Sequence, residues 1–212
     1  MFRALRPVMF LLGILFVFSA VDCKLNSGDG NYDMVLMVEK TNGVEARKNL
    51  AKALITRLNV SPDNDRLALY SYIGQDMKVF YELTGTVAPS KPHALKKVAS
   101  IKKKTSTKKT NMFFELKTAA SDLPTSFMPA RFLRAKSKKA VVFVASAGVS
   151  PAKMTEAVNA LKQLKTRSIK LVVFDYNSGA SAPFVKALKA NGGTYIPFTD
   201  ANIGAAVAKF LG

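Results

Sequence analysis

Hydrophobic positions along the chain follow two rhythms. Several segments are short unbroken apolar runs, and others carry an apolar stripe at helical spacing. Met34 to Val38 (MVLMV) is such a run, ended by Glu39-Lys40-Thr41-Asn42-Gly43. Its length and flanks predict a buried strand followed by a turn. From Val44 to Leu58 the apolar residues fall at 44, 46, 50, 51, 54, 55 and 58, which predicts a helix. Pro62-Asp63-Asn64-Asp65 reads as a loop. Arg66 to Ile73 and Met77 to Glu82 read as two strands joined by the hairpin-length connection Gly74-Gln75-Asp76. A helix is expected from about Pro92 to Ile101, and another from Met112 to Leu123 with Asn111 as its cap. Ala140 to Ala145 (AVVFVA) and Ile169 to Tyr176 (IKLVVFDY) are further buried strands. Between them Ser150-Pro151 opens a helix that reaches about Lys165, with Pro at its first position. Residues 182–190 read as a helix stopped by Gly192-Gly193. Thr194 to Phe198 is a last short strand, and Asp200 to Leu211 is a closing helix.

Strands alternate with helices, and the strongest strands are apolar throughout. Both faces of their sheet must therefore be covered by helices. The expected fold is α/β: an open, mostly parallel, doubly wound sheet with one antiparallel edge strand from the 66–82 hairpin. Such sheets bind ligands beyond the carboxyl ends of their strands. That rule singles out the loops Glu39–Gly43 and Ser146–Ser150 and the segment around Thr110.

The first residues follow a different pattern. Arg3 and Arg6 precede the apolar run Val8 to Val17, and Ser19, Ala20 and Asp22 follow it. This is the layout of a secretory signal peptide, too short for a comfortable membrane span. Cleavage after Ala20 or after Cys23 is compatible with it. The expected organisation is a signal peptide at 1–23, a short linker at 24–31 and one domain at 32–212. The only cysteine is Cys23, so no intramolecular disulfide forms and no Cys/His zinc site exists. Stability must come from the core, which a domain of this length can supply by burying about 70% of its surface. Asn59-Val60-Ser61 is a glycosylation sequon weakened by Pro62.

Tyr32-Asp33-Met34-Val35-Leu36-Met37-Val38-Glu39-Lys40-Thr41-Asn42-Gly43 resembles the opening strand and loop of a von Willebrand factor type A domain. There an Asp and a five-residue apolar strand precede Asp-X-Ser-X-Ser. Arg66-Leu67-Ala68-Leu69-Tyr70-Ser71-Tyr72 resembles that family's next strand, and Thr110-Asn111-Met112 its Thr-Asn-Thr loop. Ala140 to Ser146 resembles the strand that ends in Thr-Asp-Gly, and Ile169 to Phe174 the strand after it. The resemblance covers Asp33 to Leu211 and implies a type A-like domain. It also implies a metal-ion-dependent adhesion site for Mg²⁺, and there the chain departs. Glu39 stands at the first Asp, Thr41 at the first Ser, Gly43 at the second Ser, Thr110 at the Thr and Ser146 at the last Asp. One hydroxyl and one carboxylate are missing from a cation that wants about six oxygens. The expectation is a degenerate site at Glu39, Thr41, Thr110 and Ser146 that holds no Mg²⁺ tightly, its residues serving instead as turn and cap groups.

Charge adds a second candidate surface. The chain carries 32 Lys and Arg against 14 Asp and Glu, a formal net charge of +18. Yet 49% of it is hydrophobic, so it is no disordered polyelectrolyte. The cations cluster: seven lysines and no acid between Lys96 and Lys109, and five cations in the nine residues Arg131 to Lys139. A solvated face is the plain reading. The functional reading is a polyanion site formed by Lys102, Lys103, Lys104, Lys108, Lys109, Arg131, Arg134, Lys136, Lys138 and Lys139. The clusters flank the 112–123 helix, a placement that would let them share one face. On a secretory route the partner is an extracellular matrix protein such as collagen, an acidic glycan, an acidic protein or a mineral surface. Nucleic acid is not expected, because the segment holds few aromatics for stacking. Enzyme signals are poor: no phosphate-binding Gly-rich loop and no nucleophile elbow occur, and the one His, His93, has no evident nucleophile. The expected function is that of a secreted, non-enzymatic matrix or binding protein with no cofactor. The alternative is a secreted hydrolase or nucleotide-binding enzyme on a similar sheet.

Overall fold

The computed structural model describes residues 31–212 except 62, 75, 82, 84–89, 106–111, 122–133, 135 and 147. The expected signal peptide at 1–23 and linker residues 24–30 lie outside the described residues, as do Lys108, Lys109, Thr110 and Arg131. Six strands form one sheet: β1 (Tyr32–Glu39), β2 (Arg66–Ile73), β3 (Asp76–Tyr81), β4 (Lys138–Ala145), β5 (Ile169–Tyr176) and β6 (Thr194–Phe198). Their order is β3-β2-β1-β4-β5-β6. Every pairing is parallel except β2 with β3, so the hairpin supplies the antiparallel edge as expected. The described helices are α1 (Val44–Arg57), α2 (Lys91–Ala99), α3 (Phe113–Ser121), α4 (Met154–Thr166), α5 (Ala182–Ala190) and α6 (Ile203–Leu211). None of them is long and apolar enough to cross a membrane.

Alternate residues of each apolar run feed two separate cores, because successive strand side chains point to opposite faces. Met34, Leu36 and Val38 join Leu50 and Leu54 of α1, Ala94 and Val98 of α2, and Val207 and Phe210 of α6. Val35 and Met37 join Leu116 of α3, Leu161 of α4 and Phe184 of α5. Three differences from the expected elements have local causes. β4 starts at Lys138 instead of Ala140, because Lys138 N donates 3.0 Å to Asn31 O and so begins pairing earlier. Asn31 thereby belongs to the fold instead of the linker. The helix after Ser150 opens as a 3-10 turn, Pro151–Lys153, before α4 begins at Met154. The closing helix likewise starts with the 3-10 turn Asp200–Asn202, held by a capping box between Thr199 and Asn202.

The chain winds outward from β1 in both directions, so β1 and β4 flank the topological switch point. Glu39 ends β1 and Ser146 follows β4 there, which brings together loops that are 107 residues apart in sequence.

Candidate functional site at the carboxyl end of the sheet

Glu39 lies at the centre of this site and is 1% exposed. Its carboxylate is fully engaged. Thr41 Oγ1 donates 2.7 Å to Oε1, while Ser146 N and Ser146 Oγ lie 2.6 and 3.1 Å from Oε2. The longer Glu side chain, in place of Asp, lets one carboxylate span both loops. A second charged residue is buried beside it. Arg47, on α1, is 0% exposed and donates Nε to Glu39 O at 2.9 Å. Its Nη2 donates to Thr41 Oγ1 and to Asn42 O, both at 2.8 Å. Nη1 is buried with no hydrogen-bond partner among the described residues, and the guanidinium carbon stands 6.0 Å from the centre of the Tyr176 ring. Burial pulls the Arg47 pKa below its ordinary value and the charge of Glu39 opposes that. A guanidinium keeps its proton under such conditions.

Gly43 begins α1 with φ 78, a left-handed conformation that favours glycine. A Cβ there would sit 2.8 Å from Tyr176 Cε1 and 3.6 Å from Arg47 Nη1. Tyr176 ends β5, and its hydroxyl donates 2.9 Å to Asp200 Oδ2. The preceding residue, Asp175, is buried and accepts from Gly179 N, Ala180 N and Tyr195 Oη at 3.1, 2.7 and 2.8 Å. It thereby fixes the turn after β5, which carries left-handed Asn177 and Ser178. Burial pushes the Asp175 pKa up, partly offset by those hydrogen bonds.

The first basic segment is anchored at this same end. Lys104 N donates 2.8 Å to Lys40 O, directly beyond β1. Lys104 Nζ and Lys40 Nζ share Asp76 Oδ2 at 2.5 and 3.2 Å. These two ammonium groups, Lys104 first, hold the Asp76 carboxyl below its usual range. Lys102 and Lys103 are exposed and lack acidic partners among the described residues. They directly precede Lys104, whose backbone bond to Lys40 O ties their segment to the carboxyl end of β1.

The von Willebrand factor type A domain family matches residues 33–210, most of the chain. The chain belongs to that family. No curated protein matches it in sequence. Among solved structures, this type A domain is similar to proximal thread matrix protein 1 from the mussel byssus with a zinc-occupied metal site. That pair has a TM-score of 0.67 at 12% identity, covering 86% of this chain and 45% of the other. A von Willebrand factor type A protein from Catenulispora acidiphila gives TM-score 0.61 at 15% identity, covering 86% and 42%. The manganese-loaded TRAP protein of Plasmodium vivax gives 0.63 at 19%, covering 86% and 73%. The chain thus spans less than half the length of the byssal protein.

In this type A domain the expected metal residues Glu39, Thr41 and Ser146 do come together; Thr110 lies outside the described residues. Their donors do not suit a hard divalent cation. The only carboxylate among them is saturated, one Thr41 lone pair is taken by Arg47, and a guanidinium already neutralises the charge. No group of three or more His, Cys, Asp or Glu is gathered among the described residues.

The second basic cluster requires a correction. The described members of the two clusters lie at opposite ends of the sheet. Lys138 N bonds Asn31 O at the amino end of β1, whereas Lys104 N bonds Lys40 O at its carboxyl end. All eight residues of β1 lie between Asn31 and Lys40, a span of about 30 Å at 3.3 Å per residue. Arg134 is also not a free cation. It contacts buried Asp33 through Nη2 and Nε at 2.9 and 3.1 Å and through its backbone N at 3.0 Å. Arg66 grips the same carboxylate at 2.8 and 3.0 Å, and Ser137 Oγ at 2.5 Å. Lys138 lies 5.7 Å from the centre of the Tyr32 ring, and Lys139 Nζ reaches Ser137 O at 3.4 Å. Lys136 and Lys138 remain exposed. Arg134→Ala therefore lowers stability by roughly 1–3 kcal/mol, since Asp33 keeps Arg66 and Ser137. Heparin retention is unchanged in that variant, as chromatography beside a thermal melt will show.

Sequence reasoning missed Arg47, Asp175 and the pairing of Asp33. For Arg47 a signal existed. Positions 44, 47, 51, 54 and 58 form one stripe at helical spacing, and Arg47 is its only charged member.

Proposed function

We propose that the protein is a secreted extracellular binding protein of the matrix type. Its type A domain binds an acidic polymer or acidic matrix protein, without metal, through the lysines at the carboxyl end of the sheet. The observation that carries this reading is the anchoring of the Lys102–Lys104 segment on that end by the Lys104 N–Lys40 O bond. Exposed cations are thereby fixed beside the switch point, where open α/β sheets take their ligands. Both the kinship with type A domains, one of them in a byssal thread matrix protein, and the signal-peptide pattern at 1–23 support an extracellular matrix setting. A binding role also fits the placement of the single histidine. His93 stacks edge-on against Tyr81 at 5.5 Å, and Tyr81 lies at the far end of β3 from Asp76.

Lysines that displace counterions from a polyanion give a salt-dependent affinity. Changing Lys102, Lys103 and Lys104 together to Gln lowers the slope of log Kd for heparin against log salt by about two to three units, on the order of one per contact. The change leaves melting nearly unaltered for Lys102 and Lys103, with only the Lys104–Asp76 surface pair lost. An unaltered slope with unaltered affinity would reduce these lysines to a solvated face.

A further inference from the structure

We propose that Arg47 is the resident cation of the strand-end site: its guanidinium holds the position and the charge that a divalent ion would need, so the loops after β1 and β4 are assembled permanently without metal. This holds whatever ligand the face takes.

Three observations converge on it. The first is connectivity. Arg47 joins Glu39 O, Thr41 Oγ1 and Asn42 O, three successive features of the loop after β1. Thr41 Oγ1 in turn donates a hydrogen bond to Glu39 Oε1, and Glu39 Oε2 accepts from the loop after β4 at Ser146 N. The chain of contacts from guanidinium to hydroxyl to carboxylate to Ser146 ties both loops to α1. A bound cation at this position would have to make the same links.

The second is space. The hydroxyl that the family's loop would carry at position 43 has no room here. Its Cβ would strike Tyr176 and stand 3.6 Å from Arg47 Nη1. Ring and guanidinium fill the volume from which a second hydroxyl would reach a metal, and the left-handed backbone of Gly43 is arranged around them. The third is charge. Arg47 is fully buried with Glu39 as the acid beside it, and Lys40 adds a cation engaged with Asp76. Arg47 offsets Glu39, and the other buried carboxylate at this end, Asp175, which feels the charge of Glu39, is engaged by Gly179 N, Ala180 N and Tyr195 Oη. An entering dication would therefore oppose a fixed positive charge at short range and meet two carboxylates already occupied. The guanidinium carbon stands 6.0 Å from the centre of the Tyr176 ring, whose π cloud supplies part of the stabilisation that a hydrogen bond to Nη1 would have given.

The test compares the full chain with Arg47→Met, Arg47→Lys and the double variant Arg47→Ala/Ser146→Asp. It uses thermal melts with and without EDTA or millimolar Mn²⁺, and Mn²⁺ electron paramagnetic resonance. In the unaltered protein neither EDTA nor Mn²⁺ shifts melting by more than about 1 °C, and no Mn²⁺ signal is lost to binding. Arg47→Met lowers melting by on the order of 10 °C, and Arg47→Lys recovers part of that, because it restores charge but fewer directed donors. The double variant, with the cation removed and a carboxylate added, binds Mn²⁺ and is stabilised by it. Metal-dependent melting of the unaltered protein, or an Arg47→Met variant that melts like it, would overturn the proposal. So would a folded double variant that ignores Mn²⁺, because loop geometry instead of the guanidinium would then exclude the ion. Should the double variant not fold, the unaltered protein and the single variants decide. No readout involves a polyanion, so the outcome is independent of the heparin experiment.

Discussion

Replacing Asp33 by Ala lowers the stability of this fold by about 3–5 kcal/mol, the range for removing one member of a buried charge cluster. For a domain of this size that corresponds to a fall in melting temperature of roughly 10 °C. Asp33 is 0% exposed and receives Arg66, Arg134 and Ser137 together. Without it two guanidinium groups converge on an apolar gap, and the backbone N–H of Arg134 loses its acceptor. The same cluster makes stability depend on pH. Burial by itself would raise the Asp33 pKa, but the hydrogen bonds from Arg66, Ser137 and Arg134 outweigh it and leave the pKa lowered. A carboxylate whose folded pKa lies below its unfolded value of about 3.9 stabilises the fold above that value. Its contribution is lost as pH falls through the lower, folded pKa. Asp33→Asn therefore flattens the acid limb of the melting profile below about pH 4, where the unaltered protein loses stability. Circular dichroism melts from neutral to acid pH read both effects. An acid limb of equal steepness in the variant would assign the pH dependence to other carboxylates.

Glu39→Gln is expected to cost about 2–4 kcal/mol, although it is nearly isosteric. The carboxylate accepts at both oxygens, from Thr41 on one side and from the Ser146 backbone on the other. An amide offers only one acceptor oxygen. Its NH₂ must face either the Thr41 hydroxyl, which can turn, or the Ser146 N–H, which cannot. Buried Arg47 meanwhile loses the acid that offsets its desolvation. Pairing Glu39→Gln with Arg47→Met costs less than the sum of the single changes, by on the order of 1 kcal/mol or more. A double-mutant cycle from denaturant titrations measures that difference. Strict additivity would mean that the two residues are not coupled, either directly or through Thr41.

Much of the architecture is readable in the chain because both rhythms are strong. The runs 34–38, 140–145 and 169–176 are apolar on consecutive residues, and only a strand covered on both faces makes use of that. They became β1, β4 and β5 at the centre of the sheet. The hairpin from Arg66 was equally legible, because Gly74 sits in a connection too short for anything but an antiparallel return. Boundaries were less so: Lys138 and Lys139 look like loop cations, and only pairing with Tyr32 and Asp33 makes them strand residues.

At the site, Glu39, Thr41 and Ser146 could be named in advance because each ends or follows a legible strand. Their union depends on β1 lying next to β4, and the resemblance to type A domains anticipated it. What the sequence by itself determined is the order of strands and helices, the two-sided burial of the sheet, the family and the excess of positive charge. Tertiary structure alone decided what individual charges do. Lysines and arginines that look equivalent along the chain are sorted by where their segment meets the sheet. Arg134 is consumed by Asp33 at the amino end, and Arg47 is sealed under Tyr176, while Lys102 and Lys103 stay in solvent at the carboxyl end. The physical reason is that a charge acts through its distance to other charges and its access to water. Strand pairing between distant segments sets both, and no local pattern encodes them.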